Sequence, residues 1–255
     1  METNKLIDLD KTNDILENNI AVIPTGISSL DEMLGGGLRS GSLTLIASRP
    51  AVGKTSLTMQ LAGNITAAGK FVYFCSLESN EYVFNRIFRK QNGANPARET
   101  LYFDDHAKAD VPYIAEKIRS LEKCDAVFVD YLELMQPHRS TSDAVAEIVL
   151  ALNELAQNED IQIVLTCQIR GRGPLPKCFD EHKMFCPELS ERLQNIAQVQ
   201  TPDVIILLSR ELFHVEDSET YEKAELIVSK NRYGATGVIP VHWNPEKLKY
   251  EEQDE

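Results

Sequence analysis

Ten residues constrain the fold more than any others: ASRPAVGKTS, positions 47–56. Before them runs an apolar, β-branched stretch, SLTLIAS (42–48); after them Leu57, Leu61 and Ile65 recur every four residues. That pattern predicts a buried strand, a tight loop and an amphipathic helix ending at Gly69. Gly-Lys-Thr at the joint is a phosphate-binding signature whose chemistry belongs to the backbone. Successive N–H groups curl around a phosphate, and the helix N-terminus adds its partial positive charge. Gly53 lets the chain pass close to the phosphate, Lys54 reaches the β- and γ-oxygens, and Thr55 offers a hydroxyl to Mg2+. The general pattern is G-x-x-x-x-G-K-[ST], and Ser48 stands where its first glycine would be. A small residue can make that turn. Ser48, Arg49, Pro50, Ala51, Val52, Gly53, Lys54, Thr55 and Ser56 are therefore expected to bind a nucleoside triphosphate.

Strands and helices alternate from residue 21 onward, which predicts an α/β fold with a mainly parallel central sheet flanked by helices. The strands are read at FVYFCSLE (71–78), DAVFVDYLELM (125–135), IQIVLTCQ (161–168), DVIILLS (203–209), AELIVSK (224–230) and GVIPVHW (237–243). Helices are read at 82–93, 110–123 and 142–157, the second opening with Asp110 as cap and Pro112 in its first turn. Glu78, Asp130 and Gln168 fall at or near the C-terminal ends of three strands, the edge where open α/β sheets bind ligands. Hydrolysis of a triphosphate needs such parts. Asp130 suits a metal carboxylate, Glu78 a base for the attacking water, and Gln168 a sensor of the γ-phosphate. Each alone reads equally well as an ordinary strand-end residue; three together point to a site.

The chain has 255 residues, 43% hydrophobic and 25% charged, and no apolar run nears the roughly 20 residues of a membrane span. Residues 21–250 are expected to form one ATPase domain, preceded by an arm or linker helix (1–20) and followed by a solvated acidic tail (251–255). The start, METNKLIDLDKTND, has no apolar core of a signal peptide, and five cysteines form no paired framework. A reducing cytoplasm is the expected setting. The net charge of −13 argues only against a monomer that coats nucleic acid with its whole surface. Residues 169–187 read as a long loop. Within it Cys178, His182 and Cys186 fit no dependable zinc spacing. Trp243 reads as packing rather than as a base-stacking platform, and 216–222 as a solvated acidic loop.

Over residues 21–250 the chain resembles the RecA-like C-terminal motor domain of DnaB-type replicative helicases. IPTGISSLDEMLGGGL resembles the segment leading into that domain, and SRPAVGKT its phosphate loop, which often lacks the first glycine. SLE (76–78), VDYLELM (129–135), TCQIR and KNRYGATG (230–237) are similar to its catalytic-glutamate, Walker B, sensor and C-terminal motifs. The resemblance implies an ATP- and Mg2+-dependent DNA helicase, a homo-oligomer expected to be a hexameric ring, moving 5′–3′ on single-stranded DNA. A primase or a helicase loader is implied as partner. Thr55 and Asp130 would hold the metal, and Glu78 and Gln168 would serve catalysis. Lys230 and Arg232 would reach into the neighbouring copy's site, and Arg86 would approach the nucleotide.

Two departures bear on function. The family's chains carry an N-terminal collar domain ahead of the motor, whereas about 20 residues stand ahead of it in this sequence. And LSERLQNIAQVQTPD (189–203) replaces the family's DNA-gripping segment, with Leu193, Gln194 and Ile196 where Arg, Glu and Gly are usual. Arg139, Arg170, Arg172, Lys177 and Arg192 are the basic residues left to contact DNA phosphates. The alternative reading is therefore a DnaB-like ATPase that no longer unwinds and acts in regulation or assembly. A RadA- or KaiC-like ATPase is a third, since LDEMLGGGL is also similar to those families; DYLELM argues against it.

Overall fold

The computed structural model describes residues 21–93, 98–137, 144–171, 175, 200–210 and 223–252. Residues 1–20, the cysteine–histidine loop and the altered segment up to residue 199 lie outside the described residues, as do Arg139, Arg172, Lys177 and Arg192.

The described strands are β1 (Val22–Ile23), β2 (Leu38–Arg39), β3 (Leu43–Ser48), β4 (Val72–Ser76), β5 (Leu101–Asp104), β6 (Ala126–Asp130), β7 (Gln162–Gln168), β8 (Val204–Arg210), β9 (Lys223–Asn231), β10 (Gly237–Asn244) and β11 (Lys249–Glu252). The helices are α1 (Ser28–Met33), α2 (Lys54–Ala67), α3 (Glu81–Asn92), α4 (Val111–Ser120) and α5 (Ala144–Glu159). Nine of these strands form one sheet in the order β11-β10-β9-β8-β3-β7-β6-β4-β5. From β8 to β5 every pairing is parallel; β9, β10 and β11 add antiparallel ladders at the other side. The mainly parallel sheet read from the sequence is thus present, and β1 pairs with β2 in a separate ribbon.

Alternation along the strands feeds two cores. Leu43, Leu45, Ala47, Val127 and Val129 pack toward α4 and α5, while Ile46, Phe74 and Phe128 pack toward α2 and α3. Both faces are covered, so parallel strands read as continuous apolar runs instead of alternating ones. The local start signals work as the sequence predicts. Asp110 accepts a hydrogen bond from Tyr113 N at 2.8 Å to cap α4, and Asn80 does the same for α3 from Val83 N at 3.1 Å. Gly69, just past α2, has φ 78°, the left-handed geometry that ends a helix.

The chain end departs from expectation. Glu251 and Glu252 belong to β11 rather than to a solvated tail, because their strand is clamped from both sides. Gln60 of α2 donates its Nε2 to Tyr250 O at 2.7 Å and accepts from Tyr250 N at 2.8 Å. Glu252 accepts from Ser28 N and Ser29 N at 3.0 and 2.7 Å, capping α1 in place of Ile27, which offers no side-chain acceptor. Replacing Gln60 with Leu strands both backbone groups of Tyr250 in the core. We expect a loss of about 2–4 kcal/mol in stability, read by urea unfolding.

Candidate functional site

Four strands deliver the site. Ser48 pairs with Gln168 across β3 and β7, and Ser76 pairs with Asp130 across β4 and β6. Parallel register therefore sets the loop after β3 beside the ends of β7, β6 and β4 on one edge of the sheet. The loop leaves β3 at the buried Ser48 and passes Ala51 at φ 64°. It enters α2 at Gly53, whose φ is 112°. A Cβ on Gly53 would lie 2.6 Å from Tyr250 Oη, so glycine is required twice over, by dihedral and by space. The same Tyr250 hydroxyl donates to Val52 O at 2.5 Å. The last described strand thus braces the loop directly.

At the centre lies the Asp130 carboxylate, with no exposure to water. Its Oδ2 accepts from Thr55 Oγ1 at 2.7 Å and its Oδ1 from Thr166 Oγ1 at 2.6 Å. Lys54 Nζ stands 3.9 Å away and 4.8 Å above the Tyr131 ring. Thr55 and Asp130 form a pair of hard oxygen donors, the chemistry Mg2+ selects. The Nε and Nη2 of Arg49 are buried and have no hydrogen-bond partner among the described residues. Buried guanidinium donors within a loop that leads into a helix N-terminus fit an anionic ligand such as a triphosphate.

Gln168 ends β7 half-buried, and its backbone N–H donates to Glu133 Oε1 at 2.8 Å. Burial pushes the Glu133 carboxyl above its ordinary range, against the opposing pull of Gln168 N, Lys54 and Arg170. Glu78 is exposed, two residues beyond β4, close enough to Tyr131 to help raise that phenol's pKa, whose first cause is burial. Arg170 sits exposed just past β7. Arg86 is exposed on α3, with no hydrogen bond to the loop among the described residues. Sequence reading missed Thr166, Glu133, Tyr250 and Arg210. Arg210 donates to Ala51 O at 3.4 Å and stacks 4.5 Å over the Trp243 ring. Only Thr166 and Glu133 carried a signal, being polar in apolar motifs. Trp243 packs against Tyr250 in the core.

Lys230 and Arg232 lie elsewhere. Because β9 runs antiparallel to β8, its C-terminal end meets the beginning of β3, and Arg232 N donates to Asp203 O, whose own N–H bonds Leu43 O. The phosphate loop begins at the other end of β3, five residues or about 17 Å away. The basic pair and the loop of one chain stand at opposite edges of the sheet.

The family model for the DnaB-like helicase C terminal domain matches residues 22–97 and 84–252. The chain belongs to that family. Replicative DNA helicase DnaB of Geobacillus stearothermophilus is 25% identical over 266 aligned positions, covering 92% of this chain and 57% of the relative. A probable plasmid replicative DNA helicase of Chlamydia psittaci is 29% identical, covering 91% and 56%. This DnaB-like domain thus spans little more than half the length of the curated relatives it matches. Among solved structures, a DnaB-like replicative helicase superposes with a TM-score of 0.77 at 22% identity, covering 99% of this chain and 68% of that one. RadB recombinase superposes with 0.65 at 18%, covering 91% and 100%. The fold of the DnaB-like domain is accordingly the RecA-like α/β fold.

Replacing Thr166 with Val preserves shape and removes one charge-assisted bond from a buried carboxylate. We expect a loss of about 1.5–3 kcal/mol in stability without nucleotide, measured by urea unfolding.

Proposed function

We propose that this domain is the ATP-hydrolysing motor of a DnaB-like helicase, whose copies form a ring, hexameric as the resemblance implies, and move along single-stranded DNA. The observation that carries this reading is the division of the chemistry between two edges of one sheet. Loop, Asp130, Glu78 and Gln168 share one edge; Lys230 and Arg232 occupy the other, out of reach of their own loop. A complete site then needs two copies, one giving the loop and the next giving the basic pair.

Within that site the loop residues Ser48 to Ser56 would wrap the phosphates, and Lys54 would shift from Asp130 to the β- and γ-oxygens. Thr55 and Asp130 would hold Mg2+, which when bound neutralises charge on those oxygens. Glu78 is the proposed base for water, its exposure leaving it open to the γ-phosphate edge. Gln168, held through its backbone by Glu133, is the proposed sensor. Arg232 and Lys230 of the next copy would stabilise the charge that builds in the transition state. Arg170, with Arg139, Arg172, Lys177 and Arg192, is proposed to contact DNA phosphates. The solved DnaB-like replicative helicase is described with its interactions with primase. A primase or helicase loader is a proposed partner here, and the cytoplasm the proposed location. No described helix is long and apolar enough to cross a membrane.

The second reading, a DnaB-like ATPase without unwinding, draws on the altered residues 189–203. Single-stranded DNA should stimulate ATP hydrolysis by a species whose mass, by light scattering, is a multiple of 28.6 kDa. A DNA-indifferent ATPase at low salt would favour the second reading, and a strictly monomeric active species would overturn the ring.

Lys54→Ala should abolish hydrolysis by removing the phosphate contact. Arg232→Ala should lower kcat about a thousandfold, the scale of an arginine finger, with nucleotide affinity almost unchanged by fluorescence titration. Burial, then the neighbouring Arg232, lowers the Lys230 pKa to about 8, with Asp203 opposing. Below pH 8 its charge is present; above it the charge is lost. Turnover should decline through that region, and Lys230→Arg, charged throughout, should carry the decline to higher pH.

A further inference from the structure

Asp203, immediately before β8, is 2% exposed and is held by every polar group it owns. Its Oδ2 accepts from Leu43 N at 3.0 Å and its own N–H donates to Leu43 O at 2.9 Å. Its Oδ1 accepts from Arg232 Nη1 at 2.6 Å and its carbonyl from Arg232 N at 3.0 Å. Burial, then the charge of the same carboxylate, pushes the Tyr233 phenol up to about 12. One buried residue is thus pinned through backbone and side chain both to the first residue of β3 and to Arg232. The arginine is not consumed by this. Its side chain stays 55% exposed, so one edge of the guanidinium is held while the rest faces outward. Lys230 Nζ is held alongside by Gln200 O and Pro202 O at 2.7 and 2.5 Å.

A long, exposed arginine has many rotamers, and freezing it on encounter costs about 2 kcal/mol of side-chain entropy. An anchor that fixes the fork beforehand removes that cost and sets the direction of the free donors. A surface ion pair would be a poor anchor, since water and salt compete for it. Asp203 is buried, and its second oxygen is bound to the backbone, so its position is set by β3 rather than by the arginine.

We propose that Asp203 is the positioning residue for Arg232: its carboxylate, fixed to Leu43 at the base of the phosphate-loop strand, holds the guanidinium in the pose offered to the neighbouring copy. This rests on the reading of Arg232 as a residue that acts in trans. It also makes β3 a direct mechanical link: the strand that starts at the Asp203 anchor ends at the copy's own phosphate loop.

The test is steady-state ATPase with nucleotide affinity and solution mass for Asp203→Asn, Arg232→Ala and the double variant. Asp203→Asn should lower kcat at least tenfold, leave nucleotide affinity within twofold and keep the assembled mass. In the Arg232→Ala background it should change kcat less than twofold, because its effect passes through the arginine. If Arg232→Ala is impaired and Asp203→Asn is not, or if the Asp203→Asn loss persists in full without Arg232, Asp203 serves only the fold and the inference is overturned. A fully active Arg232→Ala would overturn the trans reading itself, and the inference with it. If Asp203→Asn does not fold, Arg232→Ala supplies the second measurement. Its intact carboxylate should capture added methylguanidinium and recover at least tenfold in turnover, whereas methylammonium should not. No recovery would overturn the inference.

Discussion

The structure turns on a carboxylate with no contact with water. Ionised and alone, Asp130 would cost several kcal/mol to bury. It is tolerated because Thr55, Thr166 and Lys54 surround it with donors and a counter-charge. Those partners come from α2 and β7, while Asp130 itself ends β6, so satisfying one charge requires that three separate elements arrive together. The requirement runs in both directions. Asp130 in turn fixes the Lys54 ammonium and the Thr55 hydroxyl at the first turn of α2, beside the loop.

A second constraint holds the loop from behind. Tyr250 takes the Val52 carbonyl, presses on Gly53 and is itself gripped through its backbone by Gln60 of the helix that the loop opens. Loop, helix and last strand thus close a cycle of hydrogen bonds between residues some 190 positions apart in sequence. The short β11 is thus held by more than its pairing with β10.

The parts of this fold that could be read from the sequence are those whose cause is local. The loop was legible because glycine, lysine and threonine sit between an apolar run and a helical repeat. Asp110 and Pro112 marked the start of α4 because capping involves residues three apart. β5 escaped because Leu101–Asp104 is a four-residue edge strand, half-buried along its length and too short to show a periodic pattern. β11 escaped because its last two residues are glutamates, which look solvated until Ser28 and Ser29 are brought to them. Tyr250 was hidden for the same reason, since its partner Val52 is distant in sequence; Thr166 and Glu133 stood out locally as polar residues in apolar motifs, but their partners Asp130 and Gln168 did not. Arg86 and Glu78 lie on exposed positions, with no hydrogen bond or ion pair among the described residues to define them.

The sheet's topology turns these local facts into a constraint on assembly. Parallel strands put all their C-terminal ends on one edge, so Asp130 and Gln168 gather there of necessity. An antiparallel strand added at the side reverses that order, and β9 carries its C-terminal basic residues to the other edge. No rotamer of Arg232 spans the length of β3, so in the proposed mechanism the chemistry that joins the two edges is completed between copies.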